Sequence, residues 1–458
     1  MNKQRANLSS DYAALQAPIC LRNNAIHAEE YQNIDVKRGL RNKDQTGVIA
    51  GLTRISSVRG YVIADGEKQP VPGQLLYRGI DVADFIAGCN TEGRLVYEEA
   101  AYLLLFGELP TTDQLGEFKS AISESMLLPE HFTEDIVLKA PCSDIMNKLT
   151  RCVLSLYSYD DNPDDTSLPN LLRQSIELIA RFPIIVAHAH AAKRHYFNHE
   201  SLHIHRVQPQ LSIAENFLYS IRPDSSFTAE EARILDLCLI LHAEHGGGNN
   251  SAFACRVLTS SGTDTYAAIG AAIGSLKGPR HGGANMKVMQ MFREIQKGLP
   301  DWTDETAVFD YLCKILRKEA GDGTGLIYGM GHAVYTESDP RAVILKNAAR
   351  TLAAEKGMAD ELHLMETIEK LTPSAFWEVT KREKNLCANV DMYSGLIYKM
   401  LDIPSALYTP IFSIARVAGW CAHRIEEAAP GGKIMRPAYK ATVPRQTYAP
   451  LADRTKRL

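Results

Sequence analysis

The sequence predicts a mainly α-helical, two-domain fold with a small β-hairpin near the N-terminus. Three observations carry this. Apolar residues recur at helical spacing over most of the chain, whereas strand-like segments occur only near residues 50–80. Helix stops and starts punctuate the periodic runs. At 458 residues the chain is long enough for more than one domain and a large core.

In chain order, residues 1–45 are polar and mixed, with a basic stretch Lys37-Arg-Gly-Leu-Arg41. They read as a peripheral arm with some helix and a solvated basic face. Tyr61–Gly66 and Gln74–Gly79 flank a Pro- and Gly-rich segment, which suggests a hairpin turning there. Tyr97–Phe106 is an apolar helix closed by Gly107 and Pro110. Asp160–Asp165 is a loop by composition, and Asn170–Ala192 is a long helix. Ala229–His245 becomes apolar all round from Leu237, which marks a helix buried within a large protein. It stops at Gly246-Gly-Gly248, where Asn249 or Asn250 can cap the next helix. Tyr266–Lys277, with Gly270 and Gly274 for close packing, and Asp310–Ala320 are helical. Asp339-Pro340 is a strong start for a helix reaching Gly357. Asp391–Leu401 and Ser405–Glu427 complete the series.

Composition narrows the function. Apolar residues make up 45% and charged residues 23%, with a formal net charge of -4 and the two signs interspersed. Nucleic acid as main ligand is disfavoured, because phosphate binding needs a concentrated basic surface. The N-terminal residues have no apolar signal-like region, and no apolar run is long enough to span a bilayer. The nine cysteines are scattered without C-x-x-C spacing, reading as buried free thiols of a cytoplasmic protein.

The chemistry-bearing residues sit in short glycine-flanked segments. His281, in Gly278-Pro-Arg-His-Gly-Gly-Ala-Asn285, falls on a tight link between two helices, and Asn285 can cap the second. Gly282 and Gly283 would let a ligand approach the backbone, and a surface-turn histidine is the competing reading. His332 follows a glycine-rich run, Gly321–Gly331, that does not match a dinucleotide fingerprint. Arg341 would lie in a first helical turn, where free N–H groups also favour anions; a salt bridge to Asp339 is the alternative. Asp391 begins an apolar helix, either as a base raised by burial or as a structural first-turn acid. His242-Ala-Glu-His245 fails the zinc-protease templates and has no evident third ligand, so no metal is expected. A core role for His242 and a substrate hydrogen bond from His245 fit better. His188, His190, His203 and His205 read as packing or surface residues. Arg416 lies in an otherwise apolar helix and needs a carboxylate from the protein or a substrate, and Arg436 follows in a loop. Two or three histidines, three arginines and one acid suit a small polycarboxylate.

Together these segments, with Leu76-Tyr-Arg-Gly-Ile80 and Tyr102–Pro110, resemble the citrate synthase family in order over roughly residues 47–458. The resemblance implies a helical homodimer that closes on substrate. Residues 1–46 would form an N-terminal arm, 47–283 and 401–458 a large domain, and 284–400 a small one. It implies a Claisen condensation of acetyl-CoA, a substrate and not a cofactor, with oxaloacetate. The catalytic trio would be His281, His332 and Asp391. His245, Arg341, Arg416 and Arg436 would bind substrate, Arg436 from the partner subunit. Ala333, Thr336 and Gly246 stand where the family commonly has arginine, lysine and glutamate. Val334-Tyr-Thr336 is similar to 2-methylcitrate synthases, so propionyl-CoA is the alternative acyl donor. A metal-dependent hydrolase is the competing reading from another class.

Overall fold

The computed structural model describes residues 12–14, 16–18, 20–24, 26, 28–31, 35–42, 44, 46–64, 67–429 and 433–454. Its contacts divide the chain into two units, Met1–Leu52 with Arg436–Leu458, and Thr53–Met435. The described part of the first contains short 3-10 turns at Ala28–Tyr31, Arg38–Leu40 and Leu451–Asp453. Lys37 and Arg38 are exposed there, as a solvated face requires.

The second unit opens with the sheet. Strands β1 (Ser56–Ala64) and β2 (Glu67–Tyr77) pair antiparallel, and the two-residue β3 (Ile80–Asp81) adds to the end of β2. The Pro- and Gly-rich segment expected to form the turn is instead strand. Asp65 and Gly66, between the two strands in sequence, lie outside the described residues. Pro70 and Pro72 are tolerated because β3 pairs only with Leu76 and Tyr77, leaving that edge of β2 open at the prolines.

Two hairpin glycines have a steric purpose. A Cβ on Gly60 would lie 2.6 Å from the Val334 carbonyl and 2.7 Å from Tyr335 Cα. A Cβ on Gly73 would run into the Ser338 carbonyl. The hairpin backbone therefore lies directly against residues 334–340. Gly73 N donates to Ser338 Oγ at 3.2 Å, and Thr336 Oγ1 donates to the Gly60 carbonyl at 3.1 Å.

The rest is helical: α1 (Val82–Glu92), α2 (Tyr97–Phe106), α3 (Thr112–Ser125), α4 (Ile145–Leu156), α5 (Leu168–Asn198), α6 (Ile213–Ile221), α7 (Ala229–His242), α8 (Asn250–Thr259), α9 (Thr265–Lys277), α10 (Ala284–Gly298), α11 (Glu305–Leu316), α12 (Pro340–Lys356), α13 (Ala359–Thr380), α14 (Val390–Met400) and α15 (Tyr408–Ala428). α2 is buried almost all round. Its first amides are capped from α7, with Val96 N and Tyr97 N donating to Asp236 at 2.8 and 3.2 Å. α15 packs on α2, α5, α7 and α8, while α10 and α12 pack on α14 and α11 packs on α13.

Two helix starts differ from the expectation. α11 begins earlier than Asp310 because Asp304 accepts from Thr306 N and Ala307 N. Asn285 does not cap α10. It is buried and donates to Ser394 Oγ of α14 at 2.5 Å, so Gly283 takes the cap position. Cys20 is exposed and Cys142 partly so; the other seven cysteines are buried, and all nine are free.

The glycine packing makes a direct prediction. Gly73→Ala must displace the Ser338 backbone and should cost about 1–3 kcal/mol, typical of overpacking. Gly88→Ala, exposed inside α1 with nothing near its Cβ position, should instead stabilise by up to ~1 kcal/mol. Apparent melting temperatures of the two variants, measured side by side, decide this.

Candidate active site

His281 sits where expected, between α9 and α10. His281 N donates to the Gly278 carbonyl and Gly282 N to the Leu276 carbonyl, both at 2.9 Å. A Cβ on Gly282 would run into that same Leu276 carbonyl. The glycine is thus required by the turn's own packing, a reason the sequence reading did not supply. His281 Nε2 lies 3.0 Å from Ser251 Oγ at the start of α8, and Trp420 Nε1 donates to that oxygen at 3.1 Å. Burial, reinforced by the charge of Arg416, pulls the His281 pKa down to about 4, so the ring is neutral at pH 7.

His332 and Asp391 are brought together by two short segments running side by side. Gly331 N donates to the Cys387 carbonyl at 2.7 Å, and Asn389 N to the Gly329 carbonyl at 2.8 Å. Asn389 Nδ2 donates to the Gly331 carbonyl at 2.9 Å, while its Oδ1 accepts from Asp391 N at 3.0 Å and starts α14. Gly329 has φ +83°, and a Cβ there would lie 2.8 Å from Met392 Sδ, so the turn admits only glycine without rearrangement. His332 Nδ1 accepts from Val334 N at 3.0 Å and Tyr335 N at 3.1 Å. Two amides cannot donate to a protonated nitrogen, so the ring hydrogen of neutral His332 is on Nε2. Asp391 is partly accessible, with its neighbours packed around it. Burial raises its pKa to about 6; Asp339 adds to the rise, and Arg341 and Arg416 oppose it.

The arginines differ in how they are satisfied. Arg341, buried in the first turn of α12, forms the salt bridge its sequence allowed: Nε and Nη2 reach Asp339 Oδ1 and Oδ2 at 3.0 and 2.7 Å. Burial works against its charge, but Asp339 outweighs burial and raises its pKa. Arg416 and Arg424 are both buried on α15. Arg424 is satisfied at all three nitrogens, by Thr265 Oγ1 at 2.9 Å, Thr259 Oγ1 at 3.2 Å and the Thr263 carbonyl at 2.8 Å. Arg416 donates from Nε to the His242 carbonyl at 2.6 Å, while Nη1 and Nη2 have no hydrogen-bond partner among the described residues. Burial lowers its pKa to about 10, with Glu244 opposing, so it stays charged at pH 7.

Behind Arg416, Glu244 Oε1 accepts from Ser56 Oγ at 2.9 Å and lies 2.9 Å from His423 Nε2. Burial penalises this carboxylate, yet His423, Arg416 and Ser56 outweigh it and bring its pKa to about 2. His242 is buried and stacks on Phe412 at 4.3 Å, in the core role expected. His245 and His332 meet edge to face at 5.1 Å. Burial, then the charges of Arg341 and Arg416, hold His245 well below the ordinary histidine range.

Thus His245, His281, His332, Arg341, Arg416 and Asp391 converge in one place. Arg436 belongs to the other unit and is exposed. Sequence reading missed Tyr335, Ser251 and the Glu244–His423 pair. A glutamate at the end of an apolar helix was the one available signal. His188 and His190 are buried; His188 Nδ1 lies 3.0 Å from Thr133 Oγ1. Among the described residues no group of three or more His, Cys, Asp or Glu is placed to hold a metal ion.

Comparisons with known proteins agree in one direction. The family described as "Citrate synthase, C-terminal domain" matches residues 43–438. A citrate synthase of Synechocystis sp. is 34% identical over 399 residues, covering 85% of this chain and 88% of that protein. A 2-methylcitrate synthase of Shewanella oneidensis is 32% identical over 386 residues, covering 83% and 92%. The citrate synthase of Thermoplasma acidophilum, solved as a ternary complex with carboxymethyl coenzyme A and oxaloacetate, aligns with TM-score 0.75 at 27% identity, covering 92% of this chain and 100% of that one. With its helical fold and the ordered site segments already in place, the chain belongs to the citrate synthase family.

Proposed function

We propose that this protein condenses acetyl-CoA with oxaloacetate and hydrolyses the resulting citryl thioester to citrate and CoA. The observation that carries the reading is Arg416, a buried cation with two nitrogens that have no hydrogen-bond partner among the described residues, beside three histidines and the Asp391 carboxylate. A guanidinium fork left open in this way fits a carboxylate. The ternary complex of the Thermoplasma relative supports the choice of ligands.

Each residue then has a physical role. Asp391, with its raised proton affinity, takes a methyl proton from acetyl-CoA. His281 donates to the enolate oxygen as charge develops there, through the ring nitrogen turned away from Ser251, once the Ser251 hydroxyl hydrogen turns from Asn249 Oδ1 to His281 Nε2. His332 Nε2–H polarises the oxaloacetate ketone, and the enol carbon attacks that carbon. His245, Arg341 and Arg416 hold the dicarboxylate, and Arg436 completes the site from the second subunit of a homodimer. Water then cleaves the thioester, releasing CoA. No metal or other cofactor has a step to perform. Closure of residues 284–400 on 47–283 and 401–458 would shield the enol from bulk water. A cytoplasmic location fits acetyl-CoA and oxaloacetate as substrates. Among the described residues no helix is long and apolar enough to cross a membrane. Thr336, which stands where lysine is common in the family, spends its hydroxyl on the Gly60 carbonyl.

Thiol release with oxaloacetate should be faster from acetyl-CoA than from propionyl-CoA; release from neither defeats the reading. With acetyl-CoA, kcat/KM should fall about tenfold per pH unit below the Asp391 pKa of about 6 and level off above it, because only the ionised carboxylate is a base. Asp391→Asn should lose at least about 10²-fold in kcat and keep oxaloacetate binding.

Arg416→Met removes a cation with two unsatisfied nitrogens, which offsets its lost support of the Glu244 carboxylate, still held by His423 and Ser56, so ligand-free melting should fall only modestly. The same change should abolish the stabilisation that oxaloacetate gives the parent protein, about 2.7 kcal/mol at a hundredfold excess over Kd. Calorimetry with and without oxaloacetate separates these effects. Finally, Asp391→Asn and Arg436→Ala chains, each inactive alone, should regain activity when co-expressed, since one site of the mixed dimer is then intact. No recovery would mean that Arg436 serves its own chain.

A further inference from the structure

Tyr335 touches more of the site than any role so far requires. It is 1% exposed. Its ring stacks on His332 at 4.7 Å, and the Arg341 guanidinium lies 5.8 Å from its centroid. Its main-chain amide donates to His332 Nδ1 at 3.1 Å, and its hydroxyl lies 3.3 Å from His245 Nε2. We propose that Tyr335 is a positioning residue that selects the proton-bearing nitrogen of both histidines, acting on His332 through its amide and on His245 through its hydroxyl.

The His332 half follows from donor counting. The Val334 and Tyr335 amides both point at Nδ1, so the ring hydrogen is on Nε2. The His245 hydrogen is set by the phenol. A neutral imidazole has one accepting nitrogen, and burial keeps His245 neutral. The Tyr335 hydroxyl is buried, and His245 Nε2 is the one acceptor within hydrogen-bond distance of it among the described residues. A buried hydroxyl hydrogen without an acceptor is costly. Tyr335 therefore donates to Nε2, and His245 carries its hydrogen on Nδ1. One residue presents two histidines as donors through opposite ring nitrogens, without placing a further charge beside the arginines.

The sequence around it makes this precise. The hairpin approaches at Gly60, where a Cβ would lie 2.7 Å from Tyr335 Cα, and a Cβ on Gly73 would lie 2.6 Å from Tyr335 Cδ1. The tyrosine is pinned between hairpin and histidines, so its hydroxyl is aimed by packing and not by a flexible stem.

The consequence for turnover rests on the proposed condensation, but the protonation pattern can be read without it. In the ligand-free, full-length protein labelled with ¹⁵N-histidine, two-bond ¹H–¹⁵N correlations at neutral pH distinguish the two neutral forms; His245→Gln and His332→Gln assign the signals. We expect His245 as the Nδ1–H form and His332 as the Nε2–H form. In Tyr335→Phe, His245 should shift towards Nε2–H while His332 stays unchanged, because the amide survives. KM for oxaloacetate should rise roughly five- to tenfold, as for one lost neutral hydrogen bond, with a smaller change in kcat. A parent protein with His245 in the Nε2–H form, or a Tyr335→Phe spectrum identical to the parent's, overturns the proposal. A protein that releases no thiol overturns the function and leaves the nitrogen pattern to decide this point.

Discussion

A guanidinium buried with two of its nitrogens unsatisfied is the constraint around which this site is arranged. Arg416 has no accessible surface, and among the described residues its only hydrogen bond is to the His242 carbonyl. Each buried, unpaired donor costs on the order of 1–3 kcal/mol, so such a group persists only where something else requires it. Arg424, two turns further along the same helix, shows what the fold does when nothing else does: every nitrogen is satisfied by threonine oxygens or a carbonyl. The two arginines have the same burial and opposite hydrogen-bond status.

The charge of Arg416 organises its surroundings. Glu244 remains ionised in the core because His423, Ser56 and Arg416 favour its carboxylate. His281 and His245 are driven neutral by burial and by the arginine charges, which makes them single donors of a hydrogen bond and not competing cations. Asp391 sits between opposing influences. Burial pushes its proton affinity up while Arg341 and Arg416 restrain it, leaving a carboxyl that titrates near 6. An acid poised there is a stronger base than an ordinary aspartate and is still ionised at neutral pH.

Much of the framework was legible because it rests on local physics. Asp339 and Pro340 start α12, Gly107 closes α2 in a left-handed turn, and Asn389 caps α14, each through contacts within a few residues. The hairpin was legible in kind and misplaced in detail. Two prolines and a glycine read as a turn, yet they lie in β2, because tolerance there depends on an open sheet edge and on residues 334–340 lying across it. Asn285 followed the same pattern: its type and position suit a cap, but Ser394, more than a hundred residues away, captures its side chain. At Gly282 the residue was noticed for a ligand and is needed for the Leu276 carbonyl.

The sequence by itself determined which groups are available and how each sits in its own segment: a histidine on a tight interhelical link, a histidine after a glycine run, an acid and an arginine in first helical turns, and an arginine in an apolar helix. Only the tertiary structure decided what those groups became. Whether Arg416 is satisfied depends on His242, 174 residues away, and the His245 hydrogen bond depends on Tyr335, 90 residues away. Ionisation, tautomer and unpaired donors are set by desolvation and by the last hydrogen-bond partner within reach. Those partners come from other elements, so no local pattern of residues encodes them.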